Sequence, residues 1–134
     1  MEVDMKYVSS WVVPVPKKNL DAYKKKARKF GKLWKEHGAL EYVECVAENV
    51  QPGKVTSFPQ SVMLKRTETV VFAWLSFKSR AHHDRVMAKA MSDPRMTKLM
   101  QPEDMLGNRD LTMIMICSLF WIRPIRRKSI IVTK

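Results

Sequence analysis

The side chains of this chain that could do chemistry are few, and their spacing excludes most of it. Of the three histidines, His82 and His83 are adjacent; two rings reach one metal from a single helical face only at a spacing of three or four. His37 stands alone near a helix end, where the helix dipole favours a protonated ring. All three read as structural or surface residues, and no metal is expected. Cys45 and Cys117 lack CxxC spacing and a surrounding His/Cys cluster, which argues against a disulfide framework and a structural zinc. Cys45 reads as a packed thiol rather than a nucleophile. No Ser/His/Asp order, Gly-rich phosphate loop or HExxH occurs, so no cofactor is expected. Glu44 remains. It alternates with bulky residues in a strand-like stretch, and a buried carboxylate must find a partner or hold its proton. That makes Glu44 the candidate general acid or base. The plainer reading, which is preferred, is a hydrogen-bonded Glu that ties strands or subunits together.

The elements that must position these groups follow from periodicity. Residues 7–13 are rich in valine and aromatics and run into Pro14 and Pro16, which reads as a strand leaving its sheet. Asn19 is placed to cap a helix whose apolar stripe is Leu20, Tyr23, Ala27, Phe30, Trp34 and His37, with Gly38 as the stop. Residues 40–46 form a second strand, and Gln51-Pro52-Gly53 turns into an irregular hairpin arm, 54–64, around Pro59. Residues 68–77 are a third strand. Ser79 caps a second helix to about Ser92, with His83, Val86, Met87, Ala90 and Met91 on one face. Asp93-Pro94 starts a short further turn, and a last strand has to come from 110–120. The order is an α+β, ferredoxin-like split βαβ sandwich with an antiparallel sheet and helices on one face.

The other sheet face then lacks a cover. Strand parity separates a small set, Val8, Ser10, Val12, Val43, Cys45, Ala47, Val71, Ala73 and Leu75, from a bulky one, Tyr7, Ser9, Trp11, Tyr42, Glu44, Val70, Phe72 and Trp74. With the small set beneath the helices, the bulky set would be a large exposed apolar patch, so a second subunit or a ligand should cover it. A homodimer with its two sheets face to face is the simplest answer. Tyr7, Trp11, Tyr42, Phe72 and Trp74 would line any pocket for a small apolar or aromatic molecule between the sheets, although plain dimer core is preferred.

The stretches Met5-Lys6-Tyr7-Val8, Val13-Pro14-Val15-Pro16, Leu20-Asp21-Ala22-Tyr23, His37-Gly38-Ala39-Leu40-Glu41-Tyr42-Val43-Glu44-Cys45, Gly53-Lys54-Val55-Thr56-Ser57-Phe58, Glu68-Thr69-Val70-Val71-Phe72, Ser79-Arg80-Ala81-His82 and Ser92-Asp93-Pro94-Arg95-Met96 together resemble the uncharacterised bacterial YbaA-like family. The resemblance runs from residue 5 to about 100. It implies a dimeric α/β barrel of two ferredoxin-like subunits and carries no established reaction. Two departures stand out. Ser9-Ser10 replaces the Asp-Gly common in the family, and residues 105–134 lack its Met-Pro-Phe-Asp, Lys-Arg-Met and Tyr-Gly-Gly-Phe pattern. Arg123-Pro124-Ile125-Arg126-Arg127-Lys128 instead adds four basic residues within six positions near the end. A shifted reading frame or divergence accounts for both changes at this end.

Composition sets the outer bounds. With 134 residues, 46% of them hydrophobic, one globular domain spanning 1–134 is expected. Lys and Arg number 25 against 13 Asp and Glu, a formal charge of +12, so an acidic partner must be weighed. The basic patch is Lys17, Lys18, Lys24, Lys25, Arg28, Lys29, Lys32 and Lys35; its plain reading is a solvated helix exterior, its functional one a phosphate track. Phe72-Ala73-Trp74-Leu75-Ser76-Phe77 partly matches the aromatic half of the RNA-recognition signature, without its leading basic residue and glycine. A basic RNA-binding module is therefore the alternative to the homodimer, and nucleic acid the less favoured partner. The first six residues lack a secretory n-region, and the apolar run 111–122 falls short of the roughly 20 residues of a spanning helix. A cytoplasmic protein with no membrane span is expected.

Overall fold

The computed structural model describes residues 3–101 and 113–122. Stretches rich in valine and aromatic residues build β1 (Val3–Pro16), β2 (Glu41–Val46) and β3 (Glu68–Phe77), a near-continuous apolar run builds β4 (Met113–Ile122), and helical periods build α1 (Leu20–Glu36), α3 (Arg80–Met91) and the short α4 (Pro94–Leu99). The sheet order is β2-β3-β1-β4, with every neighbouring pair antiparallel. With α1 and α3 as the crossovers, this is the ferredoxin-like α+β arrangement expected from the element order.

β1 runs three residues past the expected end. Pro14 pairs with Val70 and Pro16 with Glu68, whereas β4 reaches along β1 only as far as Val12. Beyond Val12 the strand has no second neighbour among the described residues, where a proline's missing N–H takes no ladder bond from such a neighbour. A 3-10 turn, Lys17–Asn19, leads into α1 without an Asn19 side-chain cap. α1 ends as expected: Gly38 takes φ 112°, and the N–H of Ala39 reaches back to the Trp34 carbonyl at 3.0 Å. Ser79 and Asp93 cap α3 and α4 through their side-chain oxygens.

The arm expected as a hairpin is not one. Its ordered piece is a single helical turn, α2 (Phe58–Ser61), capped by Ser57. The Gln60 side chain holds the turn closed, accepting from the Ser57 hydroxyl at 2.7 Å and from the Gly53 N–H at 2.9 Å. A proline at the start of a turn suits a helix and not a paired strand.

The core lies between sheet and helices. Leu33 and Trp34 of α1, Leu75 and Phe77 of β3, Val86 and Ala90 of α3 and Met96 of α4 form one cluster, and Val13, Val15 and Val71 a second. This placement corrects the expected faces. Residues directly opposite on antiparallel strands share a face, and the register pairs Tyr7 with Phe77, Trp11 with Ala73, Tyr42 with Leu75 and Glu44 with Ala73. Tyr7, Trp11, Tyr42 and Glu44 therefore join Val71, Ala73 and Leu75 beneath the helices. Phe72 and Trp74 lie on the open face with Val8, Val12, Val43 and Cys45. Each strand alternates as expected, but β3 sits one residue out of step with the expected joining, and a slip of one exchanges the faces.

Candidate functional site beneath the first helix

Glu44 stands in a row across the sheet with Ala73 and Trp11. Because the middle residue of the row is only a methyl, the carboxyl and the indole meet over it. From above, Tyr23 of α1 donates its hydroxyl to Glu44 Oε1 at 2.9 Å. Burial pushes the Glu44 carboxyl above the usual carboxylate range, and hydrogen bonds from Tyr23, Tyr42 and Trp11 draw it part of the way back. Burial, reinforced by the Glu44 charge, raises the hydroxyls of Tyr23 and Tyr42 as well. The result is a carboxyl in a low-dielectric layer, ringed by three aromatic donors that stay protonated.

The position of Tyr42 is fixed from two sides. Its ring lies 6.0 Å from that of Trp11, and it packs against Gly31, where an added Cβ would come within 2.6 Å of Tyr42 Cδ1. A glycine inside a helix costs about 1 kcal/mol relative to alanine, and here it lets α1 settle onto the ring.

The five aromatic residues expected to line one pocket fall into two groups. Tyr7, Trp11 and Tyr42 belong to the helix side. Phe72 and Trp74 meet as tilted rings 5.7 Å apart on the open face, where Phe58 of the arm lies 5.9 Å from Phe72. A pocket between two sheets would thus include Phe72 and Trp74 without Glu44. The basic residues Lys17, Lys18, Lys24, Lys25, Arg28, Lys29, Lys32 and Lys35 are all exposed; the first two sit in the 3-10 turn and the other six line the outer side of α1, across the sheet from Phe72 and Trp74. The two halves of an RNA-binding module therefore do not share a surface. Cys45 lies on the open face opposite Phe72; burial, then the Glu44 charge, pushes its thiol up, which disfavours the nucleophilic thiolate.

The histidines take three separate roles. His37 Nε2 lies 2.8 Å from Asp93 Oδ2, and Arg95 bridges Asp93 and Glu36 at 2.8 and 2.9 Å, so the end of α1 is clamped to the start of α4. Arg95, followed by His37, holds the Asp93 carboxyl well below the usual range. His82 accepts from the Lys78 N–H at 3.0 Å. His83 is buried between Tyr7 and Phe77, with Nδ1 2.9 Å from Asp84 and Nε2 without a partner among the described residues. No three metal-ligating side chains cluster among the described residues.

A family described as a protein of unknown function, DUF1428, matches residues 6–106. The chain belongs to the DUF1428 family. Within it, the uncharacterised protein YbaA of Escherichia coli K12 is 44% identical over 105 residues, covering 78% of this chain and 90% of that protein, and its Shigella flexneri counterpart matches to the same extent. Among solved structures, a NIPSNAP family protein of unknown function from Agrobacterium tumefaciens overlays with a TM-score of 0.55 at 16% identity, covering 89% of this chain and 92% of that one. It shares the fold. A dimeric ferredoxin-like protein from an uncultured marine organism overlays at 0.47, with 15% identity and coverage of 90% and 99%. Among the described residues of this DUF1428 chain, no helix is long and apolar enough to cross a membrane.

Sequence reasoning singled out Glu44, Trp11 and Tyr42 but missed Tyr23 as their partner and Gly31 as the seat of Tyr42. Signals for both existed. Tyr23 carries the one hydroxyl on the apolar stripe of α1, and Gly31 is a glycine inside an otherwise strong helical run.

Proposed function

We propose that the protein is a homodimer that binds a small apolar or aromatic molecule on the helix side of each sheet, with Glu44 as the group that exchanges a proton with it. The observation that carries this reading is the Glu44 carboxyl, half-buried beneath α1 with its pKa raised and the Tyr23 hydroxyl on it. A raised carboxyl is suited both to accept a proton and to return it. Tyr23 is half-buried and sits in the first turns of α1, so a ligand hydroxyl takes its place by displacing one side chain. Trp11 and Tyr42 then supply apolar walls, and Ala73 the floor. The open face serves assembly: Phe72, Trp74, Val12 and Phe58 form an apolar surface that a second copy of the same sheet covers.

Native mass spectrometry of the purified protein tests the site. The expected result is a small aromatic molecule retained by the unaltered protein and by Tyr23→Phe, and lost in Glu44→Gln, with circular dichroism unchanged. Retention that survives Glu44→Gln, or no retained molecule in any variant, leaves Glu44 as a tie between helix and sheet.

A further inference from the structure

The outer face of α1 carries Lys24, Lys25, Arg28, Lys29, Lys32 and Lys35, all exposed, and none has an acidic partner within 4 Å among the described residues. At 3.6 residues per turn they fall within an arc of about 140° of the helix circumference. Six like-charged pairs stand three or four residues apart: Lys24 with Arg28, Lys25 with Arg28 and Lys29, Lys32 with Arg28, Lys29 and Lys35. Each such pair disfavours the helix, so this face carries a standing cost that a solvated exterior of mixed charge would avoid. Glu36, the acid nearest the run's end, is engaged by Arg95 at 2.9 Å.

From these observations we infer that the outer face of α1 is a docking track for the phosphate backbone of double-stranded nucleic acid. This inference is independent of the Glu44 reading. Lys24 to Lys35 spans about 16 Å of helix axis, a length of duplex axis over which one strand carries roughly five phosphate charges at 3.4 Å of rise each. The aromatic residues of α1, Tyr23, Phe30 and Trp34, all turn inward, so nothing on the track stacks on unpaired bases, and recognition rests on charge without sequence. An anionic lipid surface fits less well: the apolar stripe of α1 is committed to the core and cannot enter a bilayer.

The test is fluorescence anisotropy with a labelled random duplex, titrated between about 50 and 200 mM salt. The triple variant Lys25→Gln, Lys29→Gln, Lys32→Gln should bind at least tenfold more weakly, and its log K against log salt slope should be shallower by about 2.7, three charges at 0.9 each. A charge-matched variant, Lys54→Gln, Lys65→Gln, Arg66→Gln, changes the exposed arm instead and should keep the slope of the unaltered protein. If the first triple variant fails to fold, Lys29→Gln alone should lower the slope by about 0.9. Absence of duplex binding at the lowest salt, equal loss in both triple variants, or tighter binding to phosphatidylserine vesicles or polyglutamate than to duplex would overturn the inference.

Discussion

At Glu44 the raised carboxyl sets a sign for stability against pH. The folded state holds this proton more tightly than the unfolded chain, so the contribution of Glu44 is full below the ordinary carboxylate value of about 4.3 and is lost as pH rises through the folded value. Glu44→Gln cannot titrate. Thermal melts across pH should therefore show the variant gaining on the unaltered protein as pH rises through that window, and parallel curves would refute the assignment. Tyr23→Phe removes a donor from the half-buried carboxyl and should cost about 1 kcal/mol by chemical denaturation at pH 7. The partnership was not legible in the sequence. Glu44 announced itself by type and neighbours, but Tyr23 lies 21 positions away on another element, and only the docking of α1 brings the two together.

Two contacts decide how the helices sit. Gly31→Ala improves helix propensity, yet the new Cβ meets the Tyr42 ring at 2.6 Å; overpacking outweighs propensity, and the expected net loss is about 1–3 kcal/mol. A rise in melting temperature would mean that Tyr42 moves aside freely. At the other end of α1, Arg95 and His37 keep Asp93 charged, so its stabilisation is present above about pH 3.9 and fades as pH falls through the lowered native value. Asp93→Asn keeps the cap of α4 but should flatten that acid limb, as read by denaturant midpoints below pH 4. The helices themselves were legible, Gly38 as a stop and Ser79 as a cap among the clearest signs, because those signals are local. The arm was misjudged because Pro59 suits the start of a helical turn as well as a bend.

For the whole molecule, strand alternation was readable and the common face was not. One strand shows which of its residues share a side; which sides coincide across strands depends on register, and β3 reaches its partners only after the 47–67 excursion. The placement divides the described residues into a helix wall and an open sheet. Sedimentation equilibrium should give twice 15.6 kDa, and Trp74→Arg, a charge on the open face, should return the monomer without unfolding it. A native protein that stays monomeric at micromolar concentration would remove the assembly. Because α1 and the Phe72/Trp74 face look in opposite directions, sheet-to-sheet pairing turns both cationic helices outward. If both the proposed assembly and the proposed track hold, such a particle would be divalent and would join two duplexes without a second binding motif. Mixtures near equal charge should then scatter light as networks grow, and an excess of either component should clear them.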